Sequence, residues 1–116
     1  MGLISAARLD RRVSILRRGD PVDDGRAERP GDWVLIGHRF ASMKQRIGRE
    51  ENAAAGSDGV TPTSFWFRFD EMTRGIKTTD AIEYRGERYT ILAPAVELGR
   101  MEGVEVVARA GGVPAA

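Results

Sequence analysis

The stretch Asp80–Leu92, D-A-I-E-Y-R-G-E-R-Y-T-I-L, constrains the fold more than any other part of the chain. Two runs of alternating, β-prone residues flank Gly86-Glu87, and glycine leading a two-residue loop is what a type II′ turn requires. Such a turn pairs Arg85 with Arg88, Tyr84 with Tyr89 and Ile82 with Ile91. Ile82, Tyr84, Tyr89 and Ile91 then share one face, while Glu83, Arg85, Arg88 and Thr90 point the other way. The like-charged Arg85/Arg88 pair needs solvent or a neighbour such as Glu87. An isolated hairpin is marginal in water, so the remaining chain must supply strands that cover its apolar face.

Several segments have the right pattern. Leu9–Arg17 alternates, with Val13 and Ile15 in phase and Ser14 and Leu16 opposite. Trp33–Arg46 predicts a long strand, with Val34, Ile36, His38 and Phe40 on one face and Trp33, Leu35, Gly37, Ala41 and Met43 on the other. Gly37 marks a bulge or bend within it. Ser64–Glu71 alternates strictly: Phe65, Phe67 and Phe69 face inward, at roughly 1.5–3 kcal/mol for each buried Phe, and Trp66, Arg68 and Asp70 face outward. Pro94 ends the second hairpin strand, and Met101–Arg109 forms the last strand, with Val104 and Val106 in phase.

Two Gly-, Pro- and Asp-punctuated connections, Arg18–Asp32 and Ile47–Thr63, flank the longest strand. Both read as loops, and connections of that length are commonly functional or disordered. Glu50–Ala55 has the composition of a short helical turn stopped at Gly56. The expectation is an all-β fold: a small antiparallel β-barrel or sandwich of about six strands with two long loops. One domain spans residues 1–116, with residues 1–8 an arm and 110–116 a flexible tail.

The residues that chemistry needs are missing. Zero Cys excludes disulfides and thiolate metal sites, and one His excludes a histidine-rich centre. The carboxylate pairs Asp23/Asp24, Glu50/Glu51 and Asp70/Glu71 are sequence neighbours, which a strand sends to opposite faces. Gly56 and Gly59 lack the Lys-Ser/Thr of a phosphate loop. We therefore expect no catalytic residue, cofactor or metal, and a protein that is not an enzyme. No apolar run is long enough to cross a membrane, and no membrane partner is expected.

Net charge is +1, unevenly spread: residues 1–50 hold eleven Lys/Arg against seven Asp/Glu, and residues 51–116 hold seven against ten. That polarity lacks the concentrated basic stripe of a nucleic-acid binder. The Arg18–Asp20 R-G-D tripeptide is a chance match in a polar loop. Trp66, with Arg68 beside it, suits a surface covered by a partner. A second reading uses Trp33, Trp66 and the arginines as a stacking platform for single-stranded nucleic acid.

The order of elements resembles the phage head–tail joining proteins, the head-closure or stopper subunits of long-tailed phages and gene transfer particles. The resemblance runs from Leu9 to Arg109. It rests on L-D-R-R-V-S-I-L (Leu9–Leu16), Trp33 opening the long strand, G-R-E (Gly48–Glu50) and F-W-F-R-F (Phe65–Phe69). The final piece is G-I-K-T-T-D-A-I-E-Y-R-G-E-R-Y-T-I (Gly75–Ile91), similar to the family's G-I-x-P-x-x-R-I-x-Y-x-G-x-x-Y-x-I. Thr78 stands where proline is usual.

The resemblance implies a small β-barrel subunit of a six- or twelve-fold homo-oligomeric ring in the particle neck, assembled in the bacterial cytoplasm. The ring's partners would be the portal adaptor protein, the tail terminator protein and packaged double-stranded DNA. It would close the DNA exit channel and offer the surface on which the tail docks; another neck or tail-completion role is the near alternative. On that reading Gly48, Arg49, Glu50, Glu51, Asn52, Ser57 and Asp58 face the channel and DNA. Arg18, Asp20, Asp24, Arg26, Trp33, Trp66 and Arg68 contact neighbouring subunits or rings. A sheet edge left unclosed in such a subunit invites pairing with another chain.

Overall fold

The computed structural model describes residues 8–23, 25–45 and 61–112. Strand β1 (Arg11–Arg18) runs antiparallel between β4 (Trp33–Gln45) and β6 (Ala81–Tyr84). Strand β6 turns into β7 (Glu87–Ile91), β7 meets β9 (Gly103–Ala110), and β9 meets β5 (Thr63–Arg68), which returns to β4. The order β5-β4-β1-β6-β7-β9 thus closes through the β5–β9 pairing into a six-stranded antiparallel barrel. An extra strand, β8 (Val96–Leu98), pairs with Gly103–Glu105 of β9 along the edge whose other end, Ala108–Arg109, takes β7. It was not foreseen, because a strand of three residues is too short for alternation to register.

The expected alternation fills the barrel. Val13, Ile15, Phe65, Phe67, Ile82, Val104 and Val106 are all buried to within 1% of full enclosure. Tyr89 packs its ring edge-on to Phe65, with centroids 5.1 Å apart and planes at 82°, an arrangement that adds about 0.5–1.5 kcal/mol beyond area burial.

The β6–β7 hairpin exists, but its turn differs from the expected one. The loop is Arg85-Gly86, not Gly86-Glu87, and both loop residues have positive φ, 51° and 81°. This is the signature of a type I′ turn, whose twist suits a two-residue hairpin. Ile82 therefore pairs with Tyr89, Glu83 with Arg88 and Tyr84 with Glu87. Each partner moves by two positions, so the faces survive and Ile82, Tyr89 and Ile91 still point inward. The feared Arg85/Arg88 repulsion is replaced by an ion pair, with Arg88 Nε donating to Glu83 Oε2 at 3.0 Å.

Strand β4 carries the bulge expected near Gly37. Ile15 faces Gly37 but Leu16 faces Leu35, leaving Ile36 as the extra residue. A side chain at Gly37 would meet Met72 Sδ at 2.9 Å, so that methionine occupies the bend. The bulge overturns the expected faces upstream of it. Leu35 lies opposite Leu16 and His38 opposite Ser14, and residues 14 and 16 share a side of β1. Leu35 therefore joins His38 and Phe40 on the outer wall, and Ile36 packs against the core.

Three other boundaries move. Strand β5 ends at Arg68, and Asp70 is the N-cap of a single helical turn, α1 (Glu71–Arg74), rather than an outward strand residue. The 18–32 connection is not all loop: β2 (Val22–Asp23) and β3 (Glu28–Arg29) pair in a small separate ribbon. Ala110 belongs to β9, and Gly111 N donates to Arg88 O at 2.9 Å, so the expected tail starts later than residue 110.

Candidate interaction surface

The β2–β3 ribbon is an arm whose hold on the barrel lies at its base. Gly19 N donates to Asp32 O and Arg18 Nη1 to Gly31 O, both at 2.9 Å. The Arg18 guanidinium lies 4.1 Å from the centroid of the Trp33 ring, a cation–π contact of about 0.5–1 kcal/mol where exposed. Gly31 is where the two legs touch: a Cβ there would collide with the carbonyl oxygens of Gly19 and Asp20. Beyond this clamp the four paired residues, Val22, Asp23, Glu28 and Arg29, are all exposed. Asp23 Oδ1 accepts a hydrogen bond from Gly25 N at 2.9 Å, and Gly25 has φ +87°, so the tip turns where glycine is required.

Between the arm's base and the barrel end runs a cleft of about 610 Å³, lined by Pro21, Pro30, Trp33, Thr78, Asp80 and Thr90 among others. Its floor is pinned. Asp80, its side chain 1% exposed, takes two hydrogen bonds of 2.9 Å from Arg17 Nε and Nη2 and a third of 2.9 Å from Lys77 N. Arg17 Nη2 also reaches Gly75 O at 3.2 Å. Hydrogen bonding to Asp80 holds the Arg17 guanidinium above its ordinary pKa, and this two-pronged link fastens β1 to the turn before β6.

A second polar knot fastens α1. Asp70 Oδ1 accepts from Thr73 N at 2.8 Å, Thr73 Oγ1 accepts from Asp70 N at 3.2 Å, and Arg39 Nε donates to Asp70 Oδ2 at 2.8 Å. Burial pushes the Asp70 carboxyl up, but the Thr73 amide and the Arg39 guanidinium together bring it below the usual carboxylate range.

The sequence-predicted residues fall into three groups. Arg18, Asp20, Arg26 and Trp33 come together on the arm and its base. Trp66 and Arg68 lie elsewhere on β5, where Trp66 Nε1 donates to Glu105 Oε2 at 3.0 Å and Arg68 is exposed. Trp66 sits opposite Ser42, nine positions along β4 from Trp33, or roughly 30 Å at ~3.3 Å per residue. The two indoles cannot form one stacking platform: the Trp33 ring is overlaid by Arg18, and Trp66 is tied to a carboxylate. Asp24 and the seven residues Gly48, Arg49, Glu50, Glu51, Asn52, Ser57 and Asp58 lie outside the described residues.

Sequence reasoning missed a set of exposed apolar side chains. Val34, Leu35 and Phe40 on β4 are 51%, 50% and 56% exposed, and Val96 and Met101, on β8 and the turn after it, are 55% and 65% exposed. Alternation alone set Leu35 on the face of Ala41; only the bulge brings it to the other. As for chemistry, Ser14 Oγ and His38 Nδ1 are 3.0 Å apart on the outer wall, and neither lines the cleft. Among the described residues no group of three His, Cys, Asp or Glu is placed to hold a metal.

A family model described as phage head completion protein matches residues 4–111. The fold is similar to the solution structure of protein SF1141 from Shigella flexneri 2a, with a TM-score of 0.70 and 18% identity over 92% of this chain and 96% of that one. It is also similar to a chain in the virion of a native gene transfer agent particle, with a TM-score of 0.57 and 20% identity over 88% of this chain and 94% of that one. At such identities these two likenesses are of fold alone. No curated protein matches the chain.

Proposed function

Because the chain belongs to the phage head completion protein family, with a structural role in joining head to tail, we propose that it is the repeating subunit of a ring in the particle neck. In this reading six or twelve copies sit between the portal adaptor and the tail terminator, retain the packaged double-stranded DNA and present the tail docking surface. The observation that carries the proposal is the division of the molecule into a closed barrel and an exposed arm. A barrel pinned by a buried core survives assembly unchanged, whereas the arm adapts to what it meets.

The assignments for individual residues follow. Arg18, Asp20, Asp24, Arg26 and Trp33 at the arm, with Trp66 and Arg68 on the wall, contact neighbouring subunits or rings. Gly48, Arg49, Glu50, Glu51, Asn52, Ser57 and Asp58 face the channel, as suits a long connection that serves as its gate. Deleting Ala53–Gly59 is the test: the expected outcome is a folded barrel but particles that leak DNA or fail to join tails. Full particle yield with retained DNA would reject the channel role.

A further inference from the structure

Closing the barrel leaves, among the described residues, stretches of strand edge open, and two of them carry exposed apolar side chains. Among the described residues, Trp33–Phe40 of β4 pairs only with β1, because β5 reaches only Ala41–Gln45. Val96–Leu98 of β8 pairs only with β9. An edge with apolar side chains is a template for another strand; β4 carries the bulge at Ile36 and β8 is three residues long, but neither stretch contains proline or lysine.

The two edges lie on opposite walls. In the cycle β5-β4-β1-β6-β7-β9, strands β4 and β7 are three places apart, and β8 extends the line of β7 along β9. Each edge carries exposed apolar residues, Val34, Leu35 and Phe40 on one and Val96 and Met101 on the other. Their charges are opposite. Strands β1 and β4 hold no Asp or Glu; of their cations, Arg11, Arg17 and Arg39 pair with Asp10, Asp80 and Asp70, and Arg12, Arg18 and Lys44 complete the positive side. Residues Val96–Glu105 hold Glu97, Glu102 and Glu105 against Arg100 alone.

We infer that the occupant of each edge is a second copy of this chain: the Trp33–Phe40 edge of one subunit receives the Val96–Leu98 edge of the next. The inference rests on the ring proposed above and names the contact that builds it. Two different surfaces on opposite walls give a head-to-tail contact, the kind that repeats by rotation and closes into a ring. Main-chain pairing supplies affinity, and the Leu35 and Val96 side chains meet as its apolar centre. Charge complementarity sets the orientation and disfavours pairing of like edges.

The chain has no cysteine, so paired cysteines report the contact cleanly. With Leu35→Cys and Val96→Cys together in the full-length chain, a short bismaleimide added to assembled particles is expected to give a covalent ladder of subunits. Either substitution alone should give none. Tailed, DNA-filled particles that contain the double variant but yield no ladder would overturn the inference and leave the ring itself standing. A ladder in particles whose tail joining does not depend on this protein would instead overturn the neck role. As a second arm, Leu35→Glu and Val96→Glu should each lower tailed-particle yield at least tenfold with the melting curve of the purified chain unchanged. Yields equal to wild type from both would also overturn the contact.

Discussion

Two of the antiparallel hairpins among the described residues, β6–β7 and β2–β3, have different supports. The first sends Ile82 and Ile91 into the core and sets Tyr89 against Phe65. The second has four paired residues, all exposed, and is held from below by Arg18, Trp33 and the close approach at Gly31. Backbone pairing is the same in both, so pairing is not what separates them. A hairpin without a covered face is marginal, and the barrel covers only one of the two. What the chain spends burial on is scaffold, and what it clamps at the base is available to a partner.

The sharpest way to probe that contrast is to hollow the covered side. Phe65→Ala should cost about 3–5 kcal/mol in denaturant unfolding, a large share of a small domain's margin, whereas Val22→Ala on the arm should stay within about 0.5 kcal/mol. Next comes the junction. Asp80→Asn loses the charge that Arg17 grips with two hydrogen bonds and should cost about 1.5–3 kcal/mol by the same measurement.

Gly31→Ala attacks the arm alone. The added methyl forces the two legs apart, so limited proteolysis between Asp20 and Gly31 should accelerate while the barrel melts within about 1 kcal/mol of wild type. A loss as large as that of Phe65→Ala would merge the two regions into one cooperative unit and break the comparison. Arg85→Asn works in the opposite direction: it replaces a residue held at φ 51° with one that favours that turn position. A gain of about 0.5–1 kcal/mol is expected, less whatever the Arg85–Tyr84 ring contact contributes.

Acid should have the smallest effect. The Asp70 carboxyl is held below its ordinary pKa in the folded chain. Its contribution is therefore present above about pH 4 and lost as pH falls through the lowered folded value. Because Asp70 and Arg39 are each more than a third exposed, solvent screens the pair. The readout is the slope of stability against pH, which should be shallower in Asp70→Asn than in wild type.

The barrel was largely legible in the sequence because a half-buried strand writes its burial as a period of two. Val13/Ile15, Phe65/Phe67, Ile82/Ile91 and Val104/Val106 all announce their face this way and are buried as expected. The bulge near Gly37 was legible for the same reason, since glycine in such a run needs an explanation. Its consequence was not, because one extra residue reverses the faces on its far side and brings Leu35 out. The hairpin turn was misread because arginine at positive φ carries no signal, although the even shift spared the faces. Strands of two or three residues, β2, β3 and β8, are shorter than one full alternation. The surface was harder still: exposed Val96 and Met101 look like ordinary core residues until the strand beside them proves to be an edge.

The account stands most directly on averaged electron micrographs of the particle neck with this subunit labelled. It predicts a closed collar of six or twelve labelled copies between head and tail, each touching the next through opposite walls of its barrel. Label absent from the neck, or present there as single unjoined copies, would contradict it.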